Sequence, residues 1–455
     1  MLQLRVEDLV ERSRVALDQL EGFSQEEIDT GVKAIALAIA NHAEELAIEA
    51  VEETGLGNVE SKIAKNKEIG MGVWWTMKDK KSVGVIDADE EMGIYKVAHP
   101  KGIIGCITPS TNPTLTILGN AMISLKGRNT VLVSPHPSAL KTSVHTVEIM
   151  NKALADLNFP ENTIQIVEEP TLEASQAVMS MADIVVATGG PGMVKAAYSS
   201  GRPSYGVGQG NVQVIIDPDY TDFDKIAENV VFSRTFDNGI LCAGEQSLII
   251  PEKHEKSLIE AFKKKGVYVN LEEENNVKLR EVLFHNGAMA RDAVGKTAPE
   301  VGKMAGIPIP EDASMLLTKV TKHGADELLS GEKMCNVVSL NTYTDGDFKE
   351  ALKIAKDNLN YQGAGHSTVL YSNNKENIFD AGKYIPVGRL LINVPGLAAT
   401  GVGIITNLNP TSSIGCGSWG NNSISENLTY EHLINISSIA FERTQEIDFD
   451  AIYED

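Results

Sequence analysis

GIIGCIT (102–108), NTVLVS (129–134), TIQIVE (163–168) and DIVVAT (183–188) decide how this chain folds. Each is a short apolar run rich in β-branched residues, the pattern of a strand buried on both faces. Between them lie helical stretches such as 142–157, where Val144, Val147, Met150, Ala153 and Leu154 recur at helical intervals. Strands alternating with helices at this pitch predict a parallel sheet with crossover helices, an α/β architecture of the nucleotide-binding type.

Working outward, the first 55 residues read as helices. Ser24 and Glu27 have the spacing of a capping box. Ile28, Val32, Ile35, Ala36 and Ile39 follow on one face, and Gly55 suits a left-handed stop. SVGVIDADEEMGIYKVA (82–98) reads as two β-prone runs around an acidic turn, a hairpin able to reach a neighbouring subunit. A second alternating region runs from about 229 to 425, and the tail opens with the strand-like HLINISSIAF before ending acidic. The expected organisation is an α/β unit of the nucleotide-binding type followed by a second α/β unit, with the hairpin and the tail set apart from both.

A chain of 455 residues exceeds one compact core. Its net charge of −22 opposes nucleic acid and anionic membranes as partners. The opening MLQLRVEDLVERSR lacks the apolar run of a signal peptide, and no stretch approaches the length of a membrane span. Cys106, Cys242, Cys335 and Cys416 lie far apart, without metal-type spacing, so the expectation is a reducing, cytoplasmic setting and no metal.

Four segments could carry chemistry. Cys242 stands in FDNGILCAGEQ (236–246), among small residues close to backbone N–H donors. A thiol there can attack an aldehyde carbon, and the adduct can surrender hydride to leave a thioester; the competing reading is a small buried core cysteine. TPSTNP (108–113) follows the first strand, and its Asn112 amide could donate to an oxyanion, although Asn and Pro are also ordinary turn residues. TGGPGMV (188–194) puts glycines between a strand and a helix, where backbone can approach a phosphate. His366, in GAGH (363–366), is an imidazole in a glycine-flanked loop able to move a thiol proton, against the reading of an incidental loop histidine. GCGSWG (415–420) matches a dinucleotide-binding spacing but lacks a following βαβ unit, so it reads as a decoy.

Together and in this order, these segments resemble the aldehyde dehydrogenase superfamily over almost the whole chain, which implies a Rossmann-type NAD(P)-binding domain over 1–81 and 99–228, an α/β catalytic domain over 229–425, and a β oligomerisation arm from 82–98 and 426–455. SPHPSALKTSVHTVE (134–148), AAYSSGRPSYGVGQGN (196–211), FDNGILCAGEQS (236–247) and the run 414–436 are most similar to the CoA-acylating branch, including the aldehyde half of bifunctional aldehyde/alcohol dehydrogenases. The resemblance implies Cys242 as nucleophile, Asn112 with the Cys242 N–H as the oxyanion hole, and His366 as a residue activating CoA or substrate. It implies cofactor contacts from Thr108, Pro109, Ser134, His136, Gly189, Gly190 and Glu332, the last holding the nicotinamide ribose.

Departures from the hydrolytic relatives matter equally. Their water-activating glutamate lies in an E-L-G-G-K segment, and the matching GVGQGN (206–211) has no carboxylate, which favours a thiol acceptor, coenzyme A. SPHP (134–137) lacks the acidic residue that would repel a 2′-phosphate, so NADP is expected beside or instead of NAD. The pattern looks most like acylating succinate-semialdehyde dehydrogenases, while TGLGNVESKIAKN (54–66) also resembles acylating sulfoacetaldehyde dehydrogenases. Either substrate carries a remote anion, for which Arg389, Arg234, Lys65 and Lys67 are candidate anchors. The expectation is a free-standing cytoplasmic homodimer or homotetramer, without an alcohol dehydrogenase domain or a targeting extension.

Overall fold

The computed structural model describes residues 2–401, 405–443 and 451, the side chains of 2–4 excepted. The four deciding runs form strands of one five-stranded parallel sheet, ordered Ile164–Ile166, Thr130–Ser134, Ile103–Ile107, Ile184–Thr188, Ser204–Val207. Ile104 pairs with Val131 on one side and Ile184 on the other. The chain starts in the middle of this sheet and builds outward in both directions. Its order therefore reverses beside Ile103–Ile107, and the crevice beyond the carboxyl ends of such strands is where α/β sheets take ligands.

The Ser24–Glu27 capping box forms as expected, and the predicted apolar face of the Gln25–Asn41 helix is buried. Gly55 ends the following helix at φ 66°. The Pro113–Lys126 helix, entering directly from the 103–107 strand, is buried along its whole length. It fixes the Asn112 turn against the core.

A second parallel sheet has seven strands, ordered Tyr268–Asn270, Leu316–Lys319, Val337–Tyr343, Glu245–Pro251, Val212–Ile216, Gly365–Tyr371, Val387–Ile392. Here the expected boundary at 228/229 needs correction. Val212–Ile216 pairs with Glu245–Pro251 and with Gly365–Tyr371, so the chain enters the second sheet before the Phe223–Thr235 helix. An apolar run carries no label for which of two parallel sheets it will join.

The third sheet is antiparallel, Gly84–Asp89 and Ile94–Pro100 with Ile434–Ala440 alongside. Residues 426–433 lie closer to the body than the expected arm implied, since Asn427 bridges to Ile414 and donates to the carbonyls of Ala399 and Asn409. Residues 444–450 and 452–455 of that arm fall outside the described residues. Among the described residues, no helix is long and apolar enough to cross a membrane. No cluster of His, Cys, Asp or Glu among them could hold a metal ion.

Candidate active site

The two parallel sheets face the site with opposite ends. Thr108 and Thr188 stand at the carboxyl ends of their strands in the five-stranded sheet. Cys242 precedes the Glu245–Pro251 strand and His366 opens the Gly365–Tyr371 strand, so the seven-stranded sheet contributes its amino ends.

His366 Nε2 lies 3.3 Å from Cys242 Sγ, and its Nδ1 lies 2.8 Å from Ser367 Oγ. The imidazole is fully buried, whereas the thiol is half-buried. Burial, with the Arg389 charge adding to it, depresses His366 to about 3. Burial followed by the Glu332 charge pushes the Cys242 thiol up to about 12. Both groups are therefore neutral at pH 7, an acceptor nitrogen facing a protonated thiol. His366 is the second residue of a strand rather than a loop residue, and what brings it to the sulfur is Gly365. That glycine has φ 89°, and a Cβ there would run into the Cys416 carbonyl.

The loop beneath the sulfur is GVGQGN. A Cβ on Gly210 would collide with the Cys242 backbone and stand 3.0 Å from its Cβ, so only glycine admits the close approach. This loop carries no carboxylate. A carboxyl does arrive from elsewhere: Glu332 is hydrogen-bonded to the Gln209 side chain and the Gly210 N–H, and burial raises it to about 7. Cys416, from the decoy motif, packs on Gly208 and Gly365. The motif is thus a support for this loop, not a phosphate site.

Asn112 sits at the N-cap of the Pro113–Lys126 helix, a position where an asparagine side chain usually accepts from the helix N–H groups, yet it makes no such bond. Its Oδ1 instead accepts from Lys65 Nζ at 2.6 Å, and its Nδ2 donates to Thr111 Oγ1 at 3.2 Å. The Pro109 turn beside it is partly exposed.

The cofactor expectation meets a fit on the other side. The Oγ1 atoms of Thr108 and Thr188, on adjacent strands, are buried without a hydrogen-bond partner. Gly190, the N-cap of the Pro191–Tyr198 helix, and Gly192 have open space where a Cβ would be. Gly189 packs on Met193 of that helix. Orphaned hydroxyls and a bare helix N-terminus suit the ribose and pyrophosphate of a dinucleotide. His136 is exposed at the neighbouring edge, where its Nδ1 accepts from the Ser138 N–H, whereas the Ser134 hydroxyl is buried against Ser175 at 2.9 Å.

The anchor candidates have other tasks. Arg389 is buried and donates to the carbonyls of His366, Gly365, Gly415 and Ser425 and to Asn427 Oδ1. Arg234, fully buried, donates to the carbonyls of Cys335, Gly239 and Gly244. A guanidinium spent on backbone carbonyls has little left for a substrate anion, so the expectation is corrected to loop scaffolding. Lys67 is exposed and Lys65 is bound as described. Lys62 and Asp237 were not foreseen as site residues, although Lys62 stands three residues from Lys65 and Asp237 five from Cys242.

The chain belongs to the aldehyde dehydrogenase family, whose model matches residues 3–278. It is 46% identical to a succinate-semialdehyde dehydrogenase (acetylating) of Clostridium kluyveri, with 96% of each chain covered. Among solved structures, an acetylating aldehyde dehydrogenase from Geobacillus thermoglucosidasius superposes with a TM-score of 0.94 at 36% identity, covering 98% of each chain. A propionaldehyde dehydrogenase from Rhodopseudomonas palustris, with CoA bound and an acylated cysteine, gives 0.85 at 28% identity, covering 96% of this chain and 97% of that one.

Proposed function

We propose that this enzyme interconverts an aldehyde and its acyl-CoA with NAD(P)(H) through a thioester on Cys242, and that the pair is succinate semialdehyde and succinyl-CoA. The observation that carries the reading is the Cys242–His366 contact of 3.3 Å above a loop without a carboxylate. Likeness along the full chain to the Clostridium kluyveri enzyme supports the substrate. Acylating sulfoacetaldehyde or short-chain aldehyde oxidation is the alternative, supported by 36% identity to a sulfoacetaldehyde dehydrogenase (acylating) of Bilophila wadsworthia.

Cys242 Sγ bonds to the aldehyde carbon while His366 Nε2 takes the thiol proton. The carbonyl oxygen becomes an oxyanion held by the Asn112 amide and the Cys242 N–H. Nicotinamide, when bound along Thr108, Pro109, Gly189, Gly190 and Glu332, supplies the hydride chemistry. Loss of hydride leaves the thioester, and His366 gives up its proton to solvent; the CoA thiol then passes its proton to His366 and displaces Cys242, whose departing sulfur takes that proton back. Every step is reversible. The open rim at His136, without an acidic neighbour in SPHP, supports acceptance of NADP. The exposed Ile436 and Ile439 of the 434–440 strand support assembly of a homodimer or homotetramer, and the sparse free cysteines support a cytoplasmic setting.

One observation favours a second reading. Glu332, near the sulfur and raised to about 7, has the character of a base that could activate water. Product analysis decides between them: acid released equally fast without CoA would establish hydrolysis. The proposed reaction is tested by incubating the protein with succinyl-CoA, sulfoacetyl-CoA, acetyl-CoA and propionyl-CoA and digesting it. A succinyl group on the Cys242 peptide is expected; no acylated peptide from any donor overturns the thioester.

A further inference from the structure

Behind the Asn112 turn lies a buried charge cluster that the reaction scheme does not use. The Val59–Ala64 helix runs into a single π-helical turn, Lys65–Ile69, a local widening often found at functional sites. Lys62 and Lys65 project from this segment and are 4% and 2% exposed, too enclosed for ordinary solvated lysines. Both bond to Asp237 Oδ2, which is itself fully buried. Asp237 Oδ1 also accepts from the Asn58 N–H at 2.8 Å. Asp237, Asn238 and Gly239 are three consecutive left-handed residues, at φ 51°, 53° and 73°, on the approach to Cys242. For the first two this is a costly conformation that the surroundings must hold in place.

The lysines divide the Asn112 turn between them. Lys62 Nζ donates to the Thr111 carbonyl at 3.1 Å and pins the backbone. Lys65 Nζ donates to Asn112 Oδ1 at 2.6 Å and pins the side chain. An ammonium has only donors, so it accepts one orientation of the amide and forbids the flipped one. With the oxygen held, the amide NH₂ must point the other way. Two ammoniums against one carboxylate also leave a net positive charge, and Lys65 is close enough to Cys242 to sense its ionisation.

The geometry points to Lys65 as a positioning residue for acyl transfer, which by holding the Asn112 amide oxygen aims the amide N–H at the oxyanion formed on Cys242. The inference rests on the reading of Asn112 as an oxyanion donor. Lys65 touches no reacting atom and acts through Asn112. Removing its ammonium still leaves Asp237 paired with Lys62, so the fold need not fail.

The test compares Lys65→Met, Asn112→Ala and the double variant, following reduction of succinyl-CoA and acetyl-CoA by nicotinamide absorbance. Asn112→Ala is expected to lower kcat about 10²-fold, the usual effect of one oxyanion donor. Lys65→Met should lower kcat by roughly ten- to a hundredfold with KM changed less than about twofold, because the lost contact matters once the oxyanion forms. The double variant should be no slower than Asn112→Ala, since one residue acts through the other. Should Lys65→Met not fold, Lys65→Gln keeps an N–H toward Asn112, and it should show a smaller kcat loss with the same non-additivity. Losses that multiply in the double variant, or that fall on KM, overturn the inference. So does a full-speed Lys65→Met beside a slow Asn112→Ala, which leaves the Asn112 reading standing. An Asn112→Ala of wild-type speed removes both.

Discussion

His366 Nε2 stands 3.3 Å from Cys242 Sγ, and the pair rests neutral because enclosure raises the thiol to about 12 and lowers the imidazole to about 3. A preformed thiolate–imidazolium pair would require the opposite shifts. At pH 7 a thiol at about 12 is ionised to only about one part in 10⁵. Alkylation of Cys242 by iodoacetamide in the free protein should therefore accelerate about tenfold per pH unit from pH 6 to 9, with no plateau. A plateau near neutrality would establish the ion pair instead.

Arg389→Lys separates scaffolding from substrate anchoring. Lysine cannot reproduce the fan of bonds to Gly365, His366, Gly415, Ser425 and Asn427. Thermal melts should show destabilisation of about 2–4 kcal/mol, from buried carbonyls left without donors. In the folded remainder, the ratio of kcat/KM for succinyl-CoA over acetyl-CoA should stay within about threefold of wild type. A selective loss of succinyl-CoA would restore Arg389 to the anchor role.

Gly365→Ala is expected to be severe. The position has φ 89°, and the added methyl meets the Cys416 carbonyl. Strain of about 1–3 kcal/mol from the backbone alone should lower the urea midpoint. His366 moves with the same strand, so single-turnover acylation should slow even at temperatures where the variant is folded. Unchanged acylation would mean that the strand tolerates the shift.

Glu245 offers a stability readout independent of turnover. Burial raises its carboxyl to about 7, while Oε1 accepts from the Gly396 N–H at 2.6 Å and Oε2 is buried without a partner. The folded state thus holds a proton that the unfolded chain releases near 4.5. The contribution is fully present below about pH 4.5 and is lost as pH rises toward about 7. Glu245→Gln keeps the acceptor and removes the titration. Relative to the variant, wild type should lose stability between pH 5 and 7.5 in urea melts; parallel pH curves for the two proteins would rule the linkage out.

Much of this was readable from residue order. The capping box at Ser24, the four strands of the first sheet and the hairpin over 82–98 follow from local periodicity, and they formed. Cys242 and His366, 124 positions apart in the chain and each singled out by its local sequence, lie 3.3 Å apart. What periodicity could not assign was partnership. Val212–Ile216 looks like any buried strand, and only packing sends it to the second sheet. Arg389 looks like an anion anchor until its carbonyl acceptors are known. Lys65 reads as a candidate anion anchor and Lys62 carries no signal of its own, because nothing local announces Asp237 across 175 and 172 positions.

The opposed strand ends have a consequence for redesign. Glu332 apart, the groups suited to the dinucleotide hang from one slab of the molecule, and the Cys242 sulfur with the His366 imidazole hangs from the other. The proposed roles predict that edits at the His136 margin retune which nucleotide is preferred while the thiol machinery stays as it is. They equally predict that edits around Gly365 disturb the chemistry and leave nucleotide choice alone. The two traits can be bred separately and then recombined.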